Sequence, residues 1–155
     1  MTSRENIFAA LYNLLTPVTW TFNGVPQKFN YTSRRLISWD NVNTGQQPAL
    51  FLRESRETIH QNPLGLPIKN LRGQIWVYLQ AVPNADQSGV WPSQLINPLL
   101  DAIETAILGA VPGQKQTLGG LVENCWIDGD LIMDDPVAPD QQIVIVIPIS
   151  ISVGF

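Results

Sequence analysis

The sequence predicts an α+β fold: a mostly antiparallel β-sheet with two helices packed on one face and a long projecting β-hairpin. Three observations support this prediction. Two segments repeat apolar residues at helical spacing, and the stretches between them alternate apolar and polar residues. The chain also closes on an almost unbroken run of Ile and Val, Ile143 to Val153. That run is shorter than the roughly 20 apolar residues of a membrane helix, so we interpret it as a strand.

Length and composition predict a single domain over residues 1–155. The chain is 45% hydrophobic and 14% charged, which is typical of a globular protein. The N-terminal residues lack the basic start and cleavage site of a secretory signal. The single cysteine, Cys125, excludes an internal disulfide, so we expect the protein in a reducing cytosol.

The first helix is predicted near the N-terminus. Thr2 and Glu5 have the spacing of a capping box, apolar residues recur at helical intervals through residues 7–15, and Pro17 ends the helix. Two short strands follow, at residues 18–22 and 27–31, joined by an Asn-Gly turn. After them, residues 32–48 are predicted to form a long loop that holds Trp39, Arg34 and Arg35.

The hairpin is predicted between Leu50 and Val82. Its first strand begins apolar and becomes polar, and its second alternates, with Ile75, Val77 and Leu79 on one side. The intervening residues carry prolines and glycine, so they form an irregular tip. The outer part is too polar for a core and too long for a simple turn, and we expect it to contact a neighbouring subunit or ring.

The second helix buries one face with apolar residues from Leu95 to Ile107. Asn97 is expected to cap it, because Pro98 is best tolerated in a first turn, and Gly109 is expected to end it. A strand over residues 120–129, an acidic loop and the terminal strand complete the chain. In the terminal strand alternate residues face the helices, whereas Val144 and Val146 face a side without a third helix. Pro148 favours an edge or bulged strand. One face or edge of the terminal strand is therefore left without an internal cover, and we expect a partner subunit to cover it.

The residues do not predict an enzyme. Glu57 and Ser55 lie close in sequence to His60, but closeness in sequence does not supply the orienting acid and nucleophile that a catalytic base needs, so we interpret His60 as a solvated surface histidine. Cys125 has the setting of a small buried hydrophobe. The acidic loop lacks the spacing of a calcium loop, and the only paired glycines lack the pattern of a phosphate loop. We therefore expect no catalytic residue, no metal and no cofactor.

Charge is unevenly distributed along the chain. Residues 1–77 carry eight basic and four acidic side chains, whereas residues 78–155 carry one and nine, which gives net charges of +4 and −8. This asymmetry indicates either a surface with two electrostatic ends or two halves that interleave in space. Nucleic-acid binding through the arginines is opposed by the overall pI near 4.7. Arginines paired with acids of a neighbouring subunit explain the pattern at least as well.

Several segments, taken in order, resemble the tail terminator (tail-completion) proteins of tailed bacteriophages. They are "NIFAALYNLL", "SRRLISW", "QQPALFLRES", "RGQIWVYLQA", "PSQLINPLLDAIETAI", "QTLGGLVENCWIDGDLIMDD" and "QQIVIVIPISI". The resemblance covers nearly the whole chain and rests on the order and texture of the segments.

The resemblance implies a structural virion protein, assembled in the bacterial cytoplasm and located in the tail or neck. Such proteins form a hexameric ring on the last ring of the tail tube protein, stop its polymerisation and provide the surface that joins the head through a head-completion or neck protein. Double-stranded DNA passes through the channel without specific binding, and no membrane is involved. Two alternatives stay open: another neck, connector or tube ring protein, and a small-molecule-binding α+β module.

Candidate site residues follow from this reading. The predicted subunit or ring interface contains Arg34, Arg35, Arg53, Arg56, His60, Lys69 and Arg72. The predicted channel lining, which would repel the phosphate backbone of the DNA, contains Asp128, Asp130, Asp134 and Asp135; a solvated outer loop is the alternative for these aspartates.

Overall fold

The computed structural model describes residues 3–80, 92–109, 111, 113–134 and 142–154. Within them the chain has the predicted α+β fold, with two helices and a mostly antiparallel, mixed sheet. In chain order the elements are α1 (Arg4–Leu15), β1 (Thr19–Phe22), β2 (Val25–Lys28), β3 (Tyr31–Ser33), 3₁₀ turns at Trp39–Asn41 and Thr44–Gln46, β4 (Ala49–Gln61), β5 (Pro67–Gln80), α2 (Pro92–Leu108), β6 (Asn124–Ile127), β7 (Ile132–Asp134) and β8 (Gln142–Val153).

The main sheet has the strand order β3-β4-β5-β8-β6, with β7 also pairing β8. Only β3 is parallel to its neighbour, β4; the other pairs are antiparallel. β1 and β2 form a separate hairpin across Asn23 and Gly24, both with positive φ, as a tight two-residue turn requires. This turn was correctly predicted from sequence.

The terminal strand β8 lies inside the sheet, so the expectation that it forms an open edge is wrong. β5 pairs with it along its whole length, and β6 and β7 pair successive parts of its other side. The central position accounts for the aliphatic sequence, because a strand with neighbours on both sides needs apolar side chains on its buried face.

Pro148 does not bulge β8 either, because the register with β5 is continuous through it; instead a bulge lies opposite it, between β6 and β7. Its carbonyl accepts a hydrogen bond from the Asp128 backbone N–H at 3.1 Å, on the β6 side. The N–H and C=O of a residue in an antiparallel strand point to the same neighbouring strand. The N–H that proline lacks would therefore also have pointed to the β6 side. Residues 128–131 loop out between β6 and β7 at this point. Gly129 has φ +126°, and a Cβ on it would lie 3.2 Å from Pro148 Cγ.

The helices cover one face of the sheet. From α1 the buried residues are Ile7, Phe8, Leu11 and Leu15; from α2 they are Ile96, Leu99, Ile103 and Ile107. They pack on the odd-numbered residues of β5 and β8, as predicted. Gly73 of β5 gives α1 room, because a Cβ there would lie 3.3 Å from Phe8 Cε1.

The helix starts differ from their predictions. Ser3 caps α1, its Oγ accepting from Asn6 N at 3.1 Å, and Thr2 lies outside the described residues. α2 starts at Pro92, so Pro98 lies inside the helix and Asn97 is not its cap. The proline at the first helical position is therefore Pro92. α2 ends as expected at Gly109, which has φ +76° and donates its N–H to Thr105 O at 3.0 Å.

The opposite face of the sheet has its own cover over one end. The loop after β3 folds back in two 3₁₀ turns and packs Leu36, Ile37, Trp39 and Val42 onto the sheet. Beneath them lie Ala49, Phe51, Tyr78 and Val144, and Tyr78 Oη donates to Ile37 O at 2.8 Å. The inference that this side of β8 needs a partner subunit is therefore wrong at Val144, because the chain covers that end itself.

Candidate interaction surfaces

Three of the predicted interface arginines share the part of the open sheet face that the loop leaves uncovered. Arg72 lies next to Gly73, whose Cβ position faces the helices, so Arg72 faces away from them. Arg56 lies directly opposite Arg72 across the β4–β5 pair, and Arg53 opposite Gln74. Two like charges in cross-strand register repel each other, so this end of the face attracts anionic groups.

A β-bulge produces this arrangement. The register shifts between Glu54 and Arg56, which leaves Ser55 as the extra residue of β4. Before the bulge, Arg53 faces away from the helices and Glu54 faces towards them. In a regular strand Arg56 would face the same way as Glu54, but the extra residue turns Arg56 to the side of Arg53. The sequence alone did not reveal the bulge, because no glycine or proline marks it.

Arg34 has a different environment from the other predicted interface arginines. It forms ion pairs with Glu5 of α1 and, at 2.7 Å, with Glu54 of β4. Burial lowers its pKa, but the two carboxylates outweigh that effect, and the net pKa is raised. Arg34 thus joins α1 to β4 within the chain, whereas Arg35 is exposed and forms no ion pair among the described residues.

A second ion pair joins α1 to the outer half of β4. Arg4 donates two hydrogen bonds to the Glu57 carboxylate, each 2.6 Å long. This bidentate pair lowers the pKa of Glu57, although burial of the carboxylate opposes the shift. Both sets of ion pairs thus hold α1 to β4, directly or through Arg34, at positions where the strand has left the apolar core that α1 shares with Leu50 and Leu52.

The predicted channel residues lie along the β6–β7 side of the sheet. Asp128 is partly exposed, with Oδ2 3.4 Å from Arg72 Nη2, and Asp130 is exposed in the bulge. Asp134 ends β7, and nothing is described of its side chain; Asp135 lies outside the described residues. The acidic segment is thus not a simple loop between two strands, because it contains β7. Whether it lines a channel stays a prediction.

The tip of the β4–β5 pair carries the other two predicted interface residues. His60 is exposed opposite Ile68, and Lys69 is partly exposed opposite Ile59. β8 pairs with β5 only as far as Lys69. The last two residue pairs of β4 with β5 and the turn that joins these strands therefore extend beyond the end of β8. The predicted extent to Val82 cannot be compared, because Val82 lies outside the described residues. That the tip contacts a neighbour stays a prediction.

The tip of the β4–β5 pair also exposes apolar side chains, which was not predicted from the sequence. Ile59, Leu64, Leu66 and Ile68 are all exposed, Leu64 by 83%. The turn that presents them is well ordered: Asn62 Oδ1 accepts from the N–H groups of Leu64 and Leu66, each at 2.9 Å. The two leucines in "NPLGLP" could have indicated an apolar tip. The prolines and the glycine of this segment indicate only an ordinary turn.

The residues considered for catalysis do not come together. Glu57 pairs with Arg4 on the helix side, whereas His60 alternates to the other side of β4. Cys125 is buried in the helix-side core, and this burial raises its pKa to about 12, which disfavours the nucleophilic thiolate. In the described part of the chain, no group of three or more potential ligands from His, Cys, Asp and Glu is placed to hold a metal ion.

A small cavity opens beside the β1–β2 hairpin, at the end of the sheet where β5 finishes. It measures about 150 Å³, and its walls include Trp20, Phe22, Leu79 and Leu95. Gln47 also lines it and is 5% exposed, and its Oε1 has no hydrogen-bond partner among the described residues. That oxygen is inaccessible, so it does not form part of the cavity wall, and the accessible wall is mostly apolar.

Comparison with known proteins adds no family assignment: no protein-family model matches the chain, and no curated protein matches its sequence. Among the described residues, no helix combines the length and apolar character needed to cross a membrane.

Proposed function

We propose that this protein is a structural protein of a tailed bacteriophage: a tail terminator whose hexameric ring caps the tail tube, stops its polymerisation and provides the head-joining surface. In this role it is a component of the virion tail or neck and is assembled in the bacterial cytoplasm. Its partners are other copies of itself, the tail tube protein and a head-completion or neck protein. The role needs neither a catalytic residue nor a cofactor.

The observation that supports this proposal is the correspondence between the resemblance and the fold. The segments "NIFAALYNLL" and "PSQLINPLLDAIETAI" fall in the two helices, and "RGQIWVYLQA" and "QQIVIVIPISI" fall in the two central strands. The segment "SRRLISW" leads into the loop that covers the second sheet face. Five of the seven resembling segments therefore correspond to a helix, a central strand or the start of the covering loop.

The exposed surfaces suit a subunit that contacts several neighbours. The uncovered part of the open face presents Arg53, Arg56 and Arg72, and the β4–β5 tip presents His60 and Lys69. We assign these residues, with Arg35, to contacts with adjacent subunits or the adjoining ring. Arg34 acts there through its ion pairs, by fixing α1 against β4.

Electron microscopy of the purified protein, alone and mixed with tube protein, tests the proposal. A terminator gives discrete six-membered rings and, in the mixture, tubes that stop growing and carry a cap at one end. Open-ended tubes from this protein alone would instead identify a tube protein. Rings that bind heads but leave tube growth unaffected would identify another neck or connector protein.

The channel is tested separately. With Asp128, Asp134 and Asp135 replaced by lysine and Asp130 left unchanged, tails should still form and join heads, but DNA ejection should slow markedly at low salt, because phosphates bind lysine by releasing counterions. Ejection that is unchanged at every salt concentration would place these aspartates on the outer surface of the ring.

The cavity beside the β1–β2 hairpin favours one other function, binding of a small molecule. Its mostly apolar walls fit a compact apolar ligand. A thermal-shift screen against small apolar and aromatic compounds tests this alternative. A hit that is lost in Phe22→Ala would support it, and no hit would leave the ring protein as the assignment.

A further inference from the structure

Two clusters of exposed aliphatic side chains lie on different parts of the sheet. The first, the hairpin tip, consists of Ile59, Leu64, Leu66 and Ile68. The second, the β7 ridge, consists of Leu131, Ile132 and Met133, of which Ile132 is 60% and Met133 49% exposed. Grouped exposed aliphatic residues mark interaction sites more often than single ones do.

The two clusters lie at opposite ends of the sheet. Lys69, beside the hairpin tip, pairs with Val153 at one end of β8, whereas Ile132 pairs with Val146. Seven residues of strand separate these positions, or about 23 Å at the usual rise of 3.3 Å per residue. The clusters therefore do not cover each other within one chain, and each is available to a second molecule.

Charge favours a contact between the two different clusters. Residues 58–70, around the hairpin tip, contain His60 and Lys69 and no acid, whereas residues 128–134, around the β7 ridge, contain three aspartates and no base. A contact between two tips would bring lysines together, and one between two ridges would bring aspartates together. Only a contact of tip with ridge places opposite charges around apolar surface.

Backbone geometry is compatible with that contact. β7 pairs only with β8 among the described residues, so its outer edge has no strand beside it there. The hairpin tip is held in one shape by the two hydrogen bonds to Asn62 Oδ1, which reduces the conformational entropy lost when it docks.

We infer that the hairpin tip of one copy of this chain packs against the β7 ridge of the next copy. Leu64 and Leu66 contact Ile132, on the side of β7 that faces away from the helices, and Lys69 lies near Asp130. Because the two surfaces differ, the contact is head-to-tail and repeats around a closed ring. The inference deepens the proposed function, and it rests on that function only for the closure into a ring.

Site-directed cross-linking tests the contact. Leu64→Cys and Ile132→Cys are prepared as separate variants; both positions are exposed, so folding is preserved, and the native Cys125 is buried. After equal mixing and oxidation, the pair should yield a cross-linked dimer, whereas neither variant alone should. The double variant should give a ladder that ends at the size of the ring. Leu108→Cys, exposed on α2 and not part of either cluster, is the matched control and should not cross-link with Leu64→Cys.

Charge exchange gives an independent measurement by mass photometry. Lys69→Asp and Asp130→Lys should each shift the assembly towards monomer, and the combination of both should restore it. Three outcomes would each overturn the inference: cross-linking within one cysteine variant alone, no cross-links in the mixture, or single charge variants that assemble like the unchanged protein.

The results also separate the contact from the proposed function. Cross-linked rings that do not cap tubes would retain the contact and overturn the terminator role. Capped tubes whose subunits do not cross-link through these positions would retain the terminator role and overturn the contact.

Discussion

The two faces of the sheet differ in how far their apolar character extends. On the helix side, Ile143, Ile145, Ile147, Ile149 and Ile151 are all essentially inaccessible, so this face is apolar over most of the length of β8. On the opposite side, apolar packing reaches only as far as Trp76 and Val146, beyond which β4 and β5 present arginines. One face therefore supplies most of the stability, which leaves the other free to carry an interaction surface.

The largest expected effect comes from opening a cavity on the helix side. Ile147→Ala should reduce the free energy of unfolding by roughly 2–5 kcal/mol, because a fully buried isoleucine loses its contacts and the packed helices relax only in part. Val144→Ala, half-buried on the other face, is the control and should cost less than about 1.5 kcal/mol. Denaturant unfolding measures both, and equal losses would contradict the difference between the faces.

Cys125 reports on the same core through its reactivity. Burial raises its pKa to about 12, and the side chain is 2% exposed, so a thiol reagent at pH 8 should modify the folded protein only as fast as the protein unfolds. Leu108→Cys adds an exposed thiol as a control and should react within seconds. Rapid modification of Cys125 in the native protein would show that the helix cover opens readily.

The loop side is tested through a single hydrogen bond. Tyr78→Phe removes the donor to Ile37 O and should cost about 1 kcal/mol. Its specific consequence should be faster proteolytic cleavage within residues 34–48, because this bond holds the loop to the sheet. Tyr12→Phe, which loses a bond to Thr32 Oγ1 on the helix side, is the matched control. Cleavage accelerated equally by both changes would mean that the loop is not held locally.

Sequence patterns predicted the elements whose structure depends on near neighbours. The Asn23-Gly24 turn, the alternating faces of β5 and the end of α2 at Gly109 are all encoded within a few residues, and each was confirmed. The elements that were missed depend on distant partners. β3 and β7 are three residues each and exist because they pair with β4 and β8, which no local pattern reveals.

The candidate surfaces follow the same rule. The basic character of residues 53–72 could be predicted from composition, but the alignment of Arg56 with Arg72 depends on the bulge at Ser55. The position of β8 inside the sheet decides which surfaces stay open. The hydrophobic alternation of one strand does not predict the order of the strands in the sheet. For that reason the sequence indicated an open surface on β8 in addition to the interface at the hairpin, and it did not indicate the exposed aliphatic cluster on β7.

The smallest expected effect concerns the outer half of β4, where the cover on the helix side is ionic. The hydrogen bonds from Arg4 hold the pKa of Glu57 below its ordinary value of 4.5, so the unfolded state binds more protons than the folded state as pH falls. The pair's contribution is therefore fully present above pH 4.5 and is lost as pH falls through the folded-state pKa. Glu57→Gln should lower the melting temperature slightly at pH 7, this difference should shrink as pH falls below 4.5, and high salt should also reduce it. Glu104→Gln, exposed on α2, is the control and should show no such pH dependence. If the gap between Glu57→Gln and the unchanged protein is constant from pH 7 to pH 3, the Arg4–Glu57 pair does not hold α1 to this end of the strand.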